Sequence, residues 1–205
     1  MKIRRLIYLL AIVCATFVTS SASAAETADQ ILAKCAQKVN NTPSISMKFV
    51  LSFDNNQLPC NLVISKEKYH LSSKDMQVWY DGVTQWTYLT ATQQLSITEP
   101  TPDELMECNP FAILNHYKKA YTSKKIAGKG LNIELIAKAK ANSVQKAVIS
   151  INPKTNLPSK VTITLSNGKT LTATAGTVLE GTLLPSKTFK YDKVPYPAKE
   201  ITDLR

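Results

Sequence analysis

The chain has 205 residues and a formal net charge of +10, with 44% apolar residues, six Gly and only two His. Neither His70 nor His116 has ligand-spaced neighbours, which excludes an ordinary metal site, and no Gly-rich phosphate loop is present. Beyond residue 24 the basic residues are 21 Lys and one Arg, Arg205. Arg is the main bidentate reader of bases and phosphates, so this basicity argues for a solvated surface and against nucleic acid.

Residues 1–24 place Lys2, Arg4 and Arg5 before a short apolar run that ends in Ala22-Ser23-Ala24. That pattern predicts a secretory signal peptide. The run is shorter than the roughly 20 residues a membrane span requires. Ile12 and Val13 precede Cys14 where a lipidated Cys would follow small residues. The expectation is a cleaved leader and one exported, soluble domain over residues 25–205, with 22 basic and 15 acidic residues for a net +7. Cys35, Cys60 and Cys108 remain, an odd number that leaves one bridge plus a free thiol, or three buried thiols, equally open.

After the leader, Thr27 and Gln30 form a capping box for a helix whose Ile31, Leu32, Cys35 and Val39 make one apolar stripe. In SISMKFVLSFD, Met47, Phe49, Leu51 and Phe53 alternate with polar residues, and Cys60, Leu62 and Ile64 continue the period beyond a turn at Asn55-Asn56. KYHLSS, MQVWY, VTQWTYLT and QLSIT read as further short strands. Asp81-Gly82 predicts a two-residue hairpin in which Tyr80 pairs with Val83. Trp79, Trp86 and Tyr88 then share one face, while Met76, Val78, Tyr80, Val83 and Leu89 share the other.

The period changes at TPDELMECNPFAILNHYKKAY. Thr101 caps a helix with Pro102 first and Glu104 completing the box, and Asn109-Pro110 starts a second helix carrying Ile113, Leu114, Tyr117 and Tyr121. Beyond Lys125 strands resume in LNIELIAKA, QKAVISINP, KVTITLSN and KTLTATA, with a last one around SKTFKYD. So many consecutive antiparallel strands curl or split. The amphipathic helices bury their apolar stripes against the sheet, either as ordinary core or as a lid over a cavity. A curved sheet with helices on its concave side leaves scattered aromatics on the convex one.

No catalytic constellation emerges. Ser65-Lys66-Glu67-Lys68 fits Ser-x-x-Lys but sits at a strand end, and Lys169-Thr170 is followed by Leu171 instead of Gly. Asp103 and Glu104 are accounted for by helix capping.

YDGVTQWTY, QQLSITEPTPDEL and NPFAILNHYKKAY, in that order, resemble the periplasmic outer-membrane lipoprotein carriers of the LolA family. The opening ILAKCAQKVNN helix and the closing LLPSKTFKYDKVPYPAKEITD are similar to that family's two ends. The resemblance implies a mainly β (α+β) fold, an unclosed antiparallel half-barrel of about 11 strands with amphipathic helices lidding a concave apolar face. It implies a monomeric periplasmic carrier, without enzymatic activity or cofactor, that shelters acyl chains of lipoproteins or related lipids for transfer to the outer membrane. Its partners would be an inner-membrane release complex and an outer-membrane acceptor. Met47, Phe49, Leu51, Phe53, Leu62 and Ile64 would then form the cavity wall, and Ile31, Leu32, Cys35, Ile113, Leu114 and Tyr117 the lid. Family members latch the lid with an Arg where this chain has Lys66, which lacks the planar fork. The alternative is a sensor or interaction module that uses the same half-barrel to detect lipid or lipoprotein.

Overall fold

The computed structural model describes residues 26–205. The leader read in residues 1–24 lies outside them. Helix α1 spans Ala28–Asn41 and starts with the expected box: the Gln30 amide donates to Thr27 Oγ1 at 3.2 Å, and the Thr27 amide to Gln30 Oε1 at 2.8 Å. Six strands follow, β1 (Ser44–Phe53), β2 (Asn56–Ser65), β3 (Lys68–Ser73), β4 (Met76–Tyr80), β5 (Gln85–Leu89) and β6 (Gln94–Thr98). The helical insert is α2 (Pro102–Cys108), a 3-10 turn (Pro110–Ala112) and α3 (Ile113–Ala120). Strands β7 (Tyr121–Ile126), β8 (Leu131–Ala137), β9 (Val144–Ile151), β10 (Pro158–Leu165) and β11 (Thr170–Gly181) come next, and β12 (Glu200–Asp203) is last.

All twelve strands join one open sheet in the order β12-β6-β5-β4-β3-β2-β1-β11-β10-β9-β8-β7. Every neighbouring pair is antiparallel except β12 with β6. An open sheet of this width curls, and a bulge between Met47 and Phe49, where β1 meets β11, supplies one of the bends. The side chains of both arms, together with those of the helices, form one apolar core. The core therefore sits between the sheet and the helices laid on one of its faces.

Several sequence expectations need correction. The helical stripe ends sooner than its period suggests: α3 stops at Ala120, and Tyr121 opens β7, its buried hydroxyl donating to the Val144 carbonyl at 3.0 Å. SKTFKYD is no strand. Ser186–Phe189 is a 3-10 turn that seats Phe189 in a buried site, and the last strand lies further on, at Glu200–Asp203.

The third correction is the Asp-Gly hairpin. Tyr80 pairs with Gln85, and Trp79 with Trp86, so the loop holds four residues. The Asp81 carboxylate explains the longer loop: its Oδ1 accepts from the amides of Val83 (3.2 Å) and Thr84 (3.0 Å), and Gly82 takes φ +105°. A two-residue shift preserves every facing, so Trp79, Trp86 and Tyr88 still share one side. Val83 and Leu89, read as sharing a face with Val78 and Tyr80, are solvent-exposed, Val83 by 63% because it sits in the loop.

The aromatics on the face away from the helices are not scattered. Residues 185–199 cross that face as a strap from β11 to the edge at β6. Trp79 packs edge-on against Tyr191 and Tyr196, at 5.7 and 5.1 Å between ring centroids, and His70 stacks on it at 5.1 Å. Tyr88 Oη donates to the Pro197 carbonyl at 3.2 Å, the Lys199 amide to the Gln93 carbonyl at 2.8 Å, and Lys190 pairs with Asp81 at 3.4 Å. Arriving after this crossing, β12 adds to β6 in parallel.

His70, stacked on the indole that packs against the strap, is expected to make folding sensitive to pH. Burial lowers its pKa below the ordinary histidine value of 6.5, against a weaker upward pull from the Gln77 amide oxygen at 3.1 Å from Nε2. The unfolded chain therefore takes up this proton first as pH falls, and folding stability declines from about pH 6.5 downward. The urea midpoint is expected to drop between pH 7 and pH 5, and a His70→Phe variant should lose part of that drop. An equal drop in both proteins would remove His70 as the cause.

Candidate functional site

The inner face of the sheet is built by period-two alternation. Met47, Phe49 and Leu51 on β1 point inward with Leu62 on β2, all four buried, while Ser46 faces outward. The same alternation on β8, β9 and β10 brings in Ile133, Leu135, Ile149, Val161 and Ile163, all fully buried. From the other side α1 contributes Ile31, Leu32 and Cys35, and α3 contributes Ile113, Leu114 and Tyr117. The side chains read from the sequence as wall and as lid thus meet in one cluster. Ile64 is half-buried beside it, and Phe53 is 38% exposed because it ends β1 next to the turn, opposite Asn56.

Several members of the cluster were missed. Phe111, in the 3-10 turn, lies edge-on against Phe49 with ring centroids 5.7 Å apart. Asn109 positions it by accepting the Phe111 amide proton on Oδ1 at 3.2 Å. Leu105 and Met106 of α2 are buried as well. The signal for Phe111 was present in Asn-Pro-Phe, where the cap fixes which residue turns inward. The signal for the far wall was the strict alternation of KAVISI and KVTITL.

Polar contacts hold the helices down at their ends. Tyr117 Oη donates to the Asp29 carbonyl at 3.5 Å, joining α3 to α1, and Lys125 Nζ donates to the Glu26 carbonyl at 3.2 Å. Ser123 Oγ on β7 donates to Asp29 Oδ1. Asp103, read from the sequence as a helix-dipole residue, accepts the Ser143 amide proton at 2.9 Å and so ties α2 to the loop before β9. Lys66 stands in the β2–β3 turn with φ +56° and makes no hydrogen bond or ion pair among the described residues. It lines a small crevice across from Asn115 and His116.

That crevice, between α3, the end of α1 and the β2–β3 turn, measures about 50 Å³ and also touches Ile64, Phe111 and Leu114. A single water needs about 10–15 Å³ by this measure, so it has room for a few waters and not for an alkyl chain. The helices occupy the space that the sheet encloses. Cys35 and Cys60 are buried free thiols, pushed up by burial to about 12 and about 11. Alkylation of Cys35 in the folded protein at neutral pH should therefore run about a thousandfold slower than in the unfolded chain. Peptide mapping after a timed iodoacetamide pulse measures this, and labelling at the unfolded rate would contradict a closed core around Cys35.

No group of three or more His, Cys, Asp or Glu side chains converges among the described residues, and no helix there is long and apolar enough to cross a membrane. What the arrangement does offer is a large apolar surface on the sheet covered by amphipathic helices.

Comparison with known structures finds several similar chains. An uncharacterized conserved protein from Thermus thermophilus superposes with a TM-score of 0.54 at 10% identity, covering 86% of this chain and 98% of that one. A LolA superfamily protein from Nitrosomonas europaea gives 0.46 at 11% identity, covering 83% and 100%. The Pseudomonas aeruginosa MucA/MucB complex gives 0.49 at 12% identity, covering 80% of this chain and 61% of the matched one. No curated protein matches the sequence. The family model described as outer membrane lipoprotein carrier protein LolA matches residues 18–169, most of the chain, and the protein therefore belongs to that family.

Proposed function

We propose that this protein is a periplasmic carrier that shelters the acyl chains of lipoproteins, or of related lipids, between the sheet and its helices. The observation that carries this reading is the single apolar core between the inner wall and the stripes of α1 and α3. Each methylene withdrawn from water is worth about 0.8 kcal/mol, so an acylated protein cannot cross an aqueous space unshielded. In the empty state Phe111, Leu32 and Ile113 fill the space that acyl chains would take. Loading then exchanges one apolar packing for another, which keeps binding reversible and lets a tighter acceptor take the cargo. Lys66 lines the crevice beside α3 and would meet a polar group of the cargo once the helices move. The partners implied are a membrane complex that loads the carrier and an acceptor that empties it.

Mass spectrometry of the protein purified gently and without detergent tests this reading. Acylated proteins or lipids in near-stoichiometric amount are expected, and the emptied protein should take up a diacylated peptide. Leu51→Asp, which puts a carboxylate on the inner wall, should abolish uptake in protein that remains folded by circular dichroism. Uptake unchanged in that variant, or an empty protein that takes up no acyl chain, would overturn the proposal. The latter result would favour a module that binds a partner protein.

A further inference from the structure

The charge of this chain is concentrated in one stretch. Residues 118–146 hold eight lysines and a single acid, Glu134. The rest of residues 26–205 is neutral, with fourteen basic and fourteen acidic residues, so this stretch carries the whole net +7. The fold gathers it at one end of the molecule. Lys118 and Lys119 end α3, Lys124 and Lys125 stand on β7, Lys129 tips the β7–β8 turn, and Lys138 follows β8. All six are solvent-exposed, and none forms an ion pair among the described residues. Glu134 is already engaged by Lys146 at 2.5 Å. Two contacts concentrate the charge further: Lys138 Nζ donates to the carbonyls of Lys118 and Lys119 at 3.2 and 3.3 Å, which folds a third ammonium over the end of α3.

β7 is the free edge of the sheet, and α1 and α3 lie beside it. Open grooves of about 700 and 680 Å³ flank α3, and Lys118 lines both. Several of the lysines thus lie beside the end of α3 and the start of α1.

We propose that this lysine-rich end docks the protein onto the surface of an anionic phospholipid bilayer. Three features favour a membrane over a protein partner. Protein interfaces enrich Arg and deplete Lys, and here the single Arg of residues 26–205 is Arg205, far along the chain and paired with Asp203. Lysines on flexible stems act as point charges that suit a diffuse field of headgroups better than a geometrically fixed anion. They also project from the helix end, the strand and two turns, a spread that matches an extended charged plane. Polybasic surfaces gain attraction from each lysine brought within a Debye length of anionic lipid. Docking here sets the lid helices beside the headgroups, where acyl chains enter or leave. The purpose of the contact rests on the carrier reading, while the contact itself does not.

Flotation of the purified protein with vesicles tests it. Binding is expected to phosphatidylcholine vesicles containing about a third phosphatidylglycerol, and not to phosphatidylcholine alone. It should fall at least tenfold between about 20 mM and about 300 mM salt. A variant carrying Lys118→Gln, Lys119→Gln, Lys124→Gln and Lys129→Gln should lose at least tenfold in binding. A second variant with Lys74→Gln, Lys154→Gln, Lys160→Gln and Lys187→Gln has the same net charge and should bind within about threefold of the wild type. Equal loss in both variants would overturn the proposal, because net charge and not placement would then govern binding. Absence of binding to the anionic vesicles would also overturn it and leave an acidic protein as the partner. Both variants are checked for an unchanged melting curve. Both should still take up diacylated peptide in vesicle-free solution, so failure of the carrier reading would show there and not in flotation.

Discussion

Replacing Phe111 with Ala is expected to do two opposite things. The empty protein should lose about 3–5 kcal/mol of unfolding free energy, the usual cost of truncating a buried aromatic. Phe111 is buried, packs edge-on against Phe49 and borders the crevice of about 50 Å³ next to α3. Its removal would join that crevice to a new void in the middle of the apolar wall. If the lid competes with acyl chains for this space, the same substitution should tighten binding of a diacylated peptide by about tenfold or more, a gain of at least about 1.4 kcal/mol. Urea denaturation and fluorescence titration read the two effects separately. Since a whole domain holds only about 5–15 kcal/mol, Phe111→Leu serves as the milder companion if the alanine variant is too unstable to titrate. A variant that is less stable and also binds more weakly would mean that Phe111 grips the ligand and does not plug its site.

Trp79→Ala should cost a similar amount, about 3–5 kcal/mol, without touching acyl uptake. Trp79 is buried on the face away from the helices, between His70, Tyr191 and Tyr196. Removing it takes away the anchor of the strap, and β12 depends on that strap for its place against β6. The folded variant should load diacylated peptide within about twofold of the wild type, because the inner wall is built from the alternate residues Val78 and Tyr80. Loss of uptake in protein that remains folded would show that the two faces are energetically coupled. Stability within about 1 kcal/mol of wild type would show that the strap is held chiefly by its hydrogen bonds, such as that from Tyr88 to Pro197.

Much of the fold was legible because its determinants are local. The Thr27–Gln30 and Thr101–Glu104 boxes lie three residues apart in the chain, so both helix starts could be read and both form as expected. Alternation along MKFVLSF identified the inner residues of β1, because a strand turns each successive side chain to the opposite face. Where expectation failed, a longer-range or side-chain contact outweighed the local signal. Tyr121 continues the helical period of α3 but belongs to β7, where pairing with Ala137 and a hydrogen bond to Val144 claim it. The Asp81 side chain captured two amides and widened a hairpin that the Asp-Gly pair alone would have closed more tightly.

By itself the sequence determined most of the alternating strands, the two capped helices, most of the buried residues of β1 and of the helical stripes, and the lysine-rich composition, all of which are written in neighbouring residues. Only the tertiary structure decided that Phe111 packs on Phe49 beneath the helices, that a strap from residues 185–199 shields Trp79 and Tyr88, and that the excess charge gathers beside α3 and β7. The physical reason is the same in each case. These arrangements join residues distant in the chain, and the free energy that selects them comes from burial and pairing that exist only once the sheet has curled.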